Sequence, residues 1–195
     1  MGENQLDDLP FTFTFAQVVG HTMSERKLYQ LRRAGLIEPI GRGLYRRCDA
    51  PTDVDLDLLE IAFRAPRATL CLTTALARHG LVDIIPAVID IALPRGSRRP
   101  PVTAAAGWHL FDLRTFDLGR EELVVEPGVA IGLYSAERSL ADVARLRYLD
   151  GSDVLYEALK RWLRMPSTSP SALLNVASHF PRAETVLRQA LEILL

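Results

Sequence analysis

Residues 24–47, SERKLYQLRRAGLIEPIGRGLYRR, constrain the fold more than any other stretch of this chain. Ser24 is a natural helix N-cap, and Glu25 suits the positive end of the helix dipole. The helix begun there runs to about Ala34, where Gly35 supplies the left-handed conformation that ends helices. Leu36, Ile37 and Ile40, then Leu44 and Tyr45, form two short strand-like runs. Gly41-Arg42-Gly43 between them predicts a tight hairpin, with glycine taking the positive φ angles such a turn needs. A helix followed at once by a two-stranded hairpin is the layout of a winged helix-turn-helix.

Charge points the same way. From Ser24 to Arg47 there are seven basic residues against two acids, a local balance of +5. The whole chain carries −1, so the remainder carries −6, and positive charge is concentrated on one small element. On a helical wheel Leu28 and Leu31 fall on one side. Arg26, Gln30 and Arg33 fall on the other, at i, i+4 and i+7, with Tyr29 at the edge. Arginine can grip guanine O6 and N7 with two parallel hydrogen bonds, and glutamine can do the same to adenine. Thr22, Ser24 and Lys27 are placed for phosphate contacts that set register. In the hairpin, Gly41 and Gly43 allow close backbone approach, Arg42 sits at the tip, and Arg46 and Arg47 follow on the second strand. The bland alternative, a solvated basic helix face, does not account for the glycine-flanked arginine hairpin beside it.

At 195 residues and 48% hydrophobic, the chain can bury a sizeable core as one or two domains. No apolar run is long enough to cross a bilayer, and MGENQLDDLP lacks the features of a signal peptide. With two cysteines and no CxxC pair, a disulfide framework is not expected, and a cytoplasmic location is. Asp49-Ala50-Pro51 reads as a linker, dividing the chain into 1–50 and 51–195.

The first ten residues read as irregular, and Phe13–Val19 as a short apolar stretch ending at Gly20. Beyond the linker, helices are expected over Val54–Arg64 and Thr69–His79. Strands are expected over Ala87–Leu93, Trp108–Leu113, Leu123–Glu126 and Val129–Tyr134, with a Pro/Arg loop over Pro94–Pro101. Helices follow over about 136–148, 153–164, 170–179 and 182–194. The fold class is α+β: an N-terminal winged helix-turn-helix, then a domain with a small, mostly antiparallel sheet and C-terminal helices. Leu191, Leu194 and Leu195 look exposed unless they close the core.

The loop carrying Arg95, Arg98 and Arg99 is a second basic cluster, suited to further phosphate contacts, to a partner protein, or only to solvent. Asp90 shares a strand face with Val88 and Ala92, where pairing with an arginine or exposure is expected. Arg138 and Asp142, four residues apart, read as a helix ion pair of the weak surface kind. The four histidines show no metal-ligand spacing, and Cys71 reads as a small buried apolar side chain. Neither a nucleophile elbow nor a phosphate-binding glycine loop occurs. An enzyme reading, such as a nuclease using Asp90, Glu137 and Asp142, rests on isolated carboxylates. Neither a cofactor nor a metal is expected.

The order of these pieces resembles the AbiE-type antitoxins (AbiEi family) of bacterial toxin–antitoxin systems. The likeness is carried by Ser24-Glu25-Arg26-Lys27-Leu28, by Leu31-Arg32-Arg33-Ala34-Gly35-Leu36, and by Gly41-Arg42-Gly43-Leu44-Tyr45-Arg46. Ile89-Asp90-Ile91-Ala92 with Pro94-Arg95-Gly96, the segment Leu133–Asp142, and Tyr156-Glu157-Ala158-Leu159 extend it over most of residues 12–195. The resemblance implies a winged helix that binds operator repeats and represses its own operon, with a homodimer on DNA as one arrangement. It also implies a C-terminal domain that counters a nucleotidyltransferase-like toxin, either without a stable complex, as in the classical family mechanism, or by direct contact. The sequence departs from the family in a trimmed first helix. A winged-helix regulator with no toxin, whose C-terminal domain dimerises or senses a ligand, is the rival reading.

Overall fold

The computed structural model describes residues 6, 8–146, 152–166 and 168–195. The irregular start expected over the first ten residues lies largely outside them, as does the end of the helix expected over 136–148.

The N-terminal unit runs β1 (Thr12–Thr14), α1 (Phe15–Val18), α2 (Glu25–Arg33), β2 (Ile37–Gly41) and β3 (Leu44–Arg47). Its three strands form an antiparallel sheet in the order β1-β3-β2, so the expected hairpin gains a third strand. Thr14 starts α1 with a reciprocal cap, its hydroxyl accepting from the Gln17 N–H while the Gln17 side chain accepts from the Thr14 N–H. This helix, α1, spans four residues. Phe13, Val18, Leu28, Leu31, Ile37 and Tyr45 close a small core between sheet and helices. Gly35 stops α2 at φ +69° and Gly43 turns the hairpin at φ +64°. Gly41 does not share that positive φ. A Cβ there would stand 2.8 Å from Glu60 Oε1, so the Glu60 carboxylate would have to shift.

The rest of the chain is built on five strands ordered β6-β5-β4-β8-β7: β4 (Thr69–Leu70), β5 (Ile89–Pro94), β6 (Ala106–Phe111), β7 (Arg120–Glu126) and β8 (Val129–Tyr134). This sheet is mixed, not mostly antiparallel. β4 runs parallel to β8 and β5 parallel to β6, while β4–β5 and β7–β8 are antiparallel. The central strand β4 lies where one helix over Thr69–His79 was expected. Pairing on both sides holds Thr69 and Leu70 extended, and α4 (Leu72–Arg78) starts only after a sharp turn with Leu72 at φ +49°. The loop after β5 does not make a hairpin but carries the chain back to a parallel start for β6.

One face of the sheet (Leu70, Ile91, Leu93, Ile131) packs on Leu58, Ile61 and Ala62 of α3 (Leu56–Arg64). The other (Ala92, Phe111, Tyr134) meets α4 and α5 (Ala136–Arg145), with α6 (Ser152–Arg164), α7 (Pro170–Ala177) and α8 (Pro181–Leu194) completing the layer. Leu191 is buried and Leu194 partly so, which closes the core, whereas Leu195 is exposed. The Arg138–Asp142 pair is not on the surface: both side chains are fully buried in this helical layer, 2.9 Å apart.

The hydrophobic cluster around α2 and the cluster around α3 are separate, but polar contacts join the two regions. Arg46 of β3 makes a buried ion pair with Glu126 of β7 at 3.0 Å and donates to the Pro51 carbonyl. Glu126→Gln keeps the shape but weakens this charge-assisted bond, so unfolding in urea should show a loss of about 1.5–3 kcal/mol. An unchanged midpoint would mean that the contact is solvated and idle.

Candidate nucleic-acid interface

Helix α2 is positioned by its cap and by its apolar face. The Ser24 hydroxyl accepts the Lys27 N–H at 3.3 Å, so its acceptor role is already taken by the helix. Leu28 and Leu31 are buried against the sheet. That packing leaves Arg26, Gln30 and Arg33 exposed along the opposite side, with Tyr29 half-exposed at the margin. Thr22 is exposed in the turn before the helix, and Lys27 is half-buried at its start. Among the described residues, no carboxylate pairs with Arg26, Lys27 or Arg33. An exposed cation without a partner keeps its charge available to a phosphate or a base edge.

The hairpin tip presents Arg42 and Gly43 to solvent. Its backbone is held, because Arg64 Nη2 of α3 donates to the Arg42 carbonyl. Arg46 and Arg47, expected as backbone or minor-groove contacts, are placed otherwise. Both are buried, at 6% and 7% exposure. Arg46 is committed to Glu126 and Pro51. Arg47 donates to Asp49 and to the Leu6 and Leu9 carbonyls, and stacks over Phe11. The Arg47 guanidinium beside Asp49 holds that carboxyl below the usual carboxylate range. The physical reason is packing on both faces of β3: Glu126 and Pro51 cover Arg46, while Asp49, Phe11 and the Leu6 and Leu9 carbonyls cover Arg47. Both guanidiniums are engaged within the protein.

Arg95, Arg98 and Arg99 are exposed on the loop after β5. Arg98 lines the same groove as Arg42 and Arg64, a concavity of about 660 Å³ between the hairpin tip, α3 and residues 98–103. Arg95 lies near Asp112, whose carboxyl is held low mainly by the Arg114 backbone N–H and guanidinium. The sequence reading missed Glu60 and Arg64. Both sit on the helix expected over Val54–Arg64, and nothing local marks them as neighbours of the hairpin.

The groups considered for catalysis are placed as follows. Asp90 pairs with His109 on the adjacent parallel strand at 2.8 Å, not with an arginine. Asp142 is buried between Arg138 and Arg145, while Glu137 is partly exposed on α5. Burial pushes the Cys71 thiol well up, which keeps it protonated and unreactive. Among the described residues no group of three or more histidines, cysteines and acids is gathered to hold a metal ion, and no helix is long and apolar enough to cross a membrane.

Residues 5–47 match the model of a family described as transcriptional regulator, AbiEi antitoxin. The likeness to that family seen in the sequence is thus met over the N-terminal unit. No curated protein matches the chain. Among solved structures, the RV2827C protein from Mycobacterium tuberculosis superimposes with a TM-score of 0.63 at 17% identity, over 97% of this chain and 75% of that one. At that identity the likeness is one of fold.

Proposed function

We propose that the chain is a cytoplasmic, DNA-binding antitoxin that represses its own operon, with residues 1–50 as a winged helix-turn-helix and 51–195 as the unit that counters a nucleotidyltransferase-like toxin. One observation carries the DNA reading: α2 buries Leu28 and Leu31 and thereby turns Arg26, Gln30 and Arg33 outward in one line beside an arginine-tipped hairpin. In the major groove, Arg26 and Arg33 read guanines and Gln30 an adenine. Thr22 and Lys27 hold flanking phosphates, with Ser24 adding its hydroxyl proton, and Arg42 with Gly43 enters the neighbouring minor groove. Two copies on a repeated operator are the arrangement the family suggests. The antitoxin half of the proposal rests on the family model matched by residues 5–47.

The test is growth of cells expressing the neighbouring gene, with this protein supplied as wild type or as Arg26→Ala/Arg33→Ala. Toxicity relieved by both versions supports an antitoxin whose neutralising unit is separate from its DNA reader. Toxicity that the wild type fails to relieve, or none at all, leaves a winged-helix regulator without a toxin.

A further inference from the structure

The groove between the hairpin tip and the C-terminal unit has the composition of a phosphate site. Arg42, Arg64 and Arg98 line it, three guanidiniums against the single carboxylate of Glu60. That carboxylate is already engaged: Oε2 accepts the Thr103 N–H at 2.7 Å, and Oε1 faces Gly41. Glu60 is 4% exposed and so acts as a strut more than as a repelling surface charge. It ties residues 98–103 to α3, while Arg64 of the same helix ties down the Arg42 carbonyl. Arg64 Nε is enclosed with no hydrogen-bond acceptor in the protein. Pro100 and Pro101 stiffen the loop that presents Arg98. Guanidinium forks on a fixed frame are the usual means of holding phosphate oxygens.

We infer that this groove is a second phosphate-contact surface, on which the DNA backbone continues from the hairpin tip onto Arg98 of the C-terminal unit. The inference rests on the DNA-binding proposal and extends it beyond residue 50. A basic groove continuous with the tip of a DNA-reading hairpin favours a polyanion over a protein partner. Glu60 and Arg64 are positioning residues: they hold tip and loop at one spacing, so the two arginines meet the backbone together. The contact is independent of base sequence.

The experiment is fluorescence anisotropy of the full chain with a labelled duplex of mixed sequence, about three helical turns long, between about 50 and 200 mM salt. Arg98→Ala lies on an exposed loop and leaves the core untouched. Removing one arginine that neutralises a phosphate flattens the slope of log affinity against log salt by about 0.9. We expect that flattening for Arg98→Ala, about twice as much for Arg42→Ala/Arg98→Ala, and several-fold weaker binding for Arg98→Glu. Arg188→Ala, on the far helix α8, should keep the wild-type slope. A wild-type slope in Arg98→Ala and Arg98→Glu overturns the inference and leaves the DNA proposal standing, even if those variants fail to relieve toxicity. A wild type that binds no duplex at any salt overturns both.

Discussion

Asp142→Ala should destabilise the protein by about 3–5 kcal/mol, the cost of leaving a buried charge without its partner. Both members of the Arg138–Asp142 pair are fully buried. The guanidinium also donates to the Thr115 and Leu118 carbonyls at 2.5 and 2.8 Å, and lies 4.3 Å from the Tyr134 ring centre and 4.6 Å from that of Phe180. It joins the loop before β7, the end of β8 and the entry to α8. Asp142 takes a second bond from Arg145 at 2.7 Å, so its removal strands two cations. For a chain of this size, that destabilisation lowers the thermal midpoint by roughly 6–20 °C. Arg188→Ala removes an exposed pair with Glu184 on α8 and should shift stability by no more than about 0.5 kcal/mol. Circular dichroism of the two variants on heating tests the contrast. Equal midpoints would mean that Arg138 is solvated and that the helical layer packs differently.

The double substitution Arg26→Ala/Arg33→Ala should remove most of the sequence preference, leaving the part that Gln30 supplies. Each bidentate arginine–guanine contact discriminates by about 1–3 kcal/mol, so the pair supplies roughly 2–6 kcal/mol, and well-separated contacts add. On the DNA upstream of its own operon, the variant should fall to within about 1–3 kcal/mol of its affinity for a scrambled duplex, the share left to Gln30. Its residual binding should still weaken with salt through Lys27, Arg42 and the groove arginines. Both arginines are exposed and lie on the side of α2 away from Leu28 and Leu31, so the fold should survive. Binding to the upstream DNA as tight and as selective as wild type would remove α2 from the reading role.

Much of the N-terminal unit was legible because its signals are local. Ser24 and Gly35 bound α2 within a residue of expectation, and the i, i+4, i+7 stripe needed nothing but helical period. β1 was not legible: Thr12–Thr14 becomes a strand only because β3 is there to pair with it. Nor was the burial of Arg46 and Arg47, which comes from Glu126 and Pro51 on one side and from Leu6, Leu9 and Phe11 on the other. In the C-terminal unit β8 was read to the residue, being an apolar run after a Pro-Gly turn. β4 was hidden inside a helix pattern, since Leu72–Arg78 is helical and two preceding residues carry too little pattern to overrule it.

The arginines show where local information stops. Helical period and capping were enough to say that Arg26 and Arg33 share the face opposite Leu28 and Leu31. No local pattern could say that Arg46 would find Glu126 eighty positions away, or that Arg138 would lie under Phe180. A charged side chain takes its energy from the dielectric and the partners around it, and long-range packing supplies both. Sequence pattern therefore places a residue on one face of an element, and the packing of the whole chain settles whether that face meets water, DNA or the core.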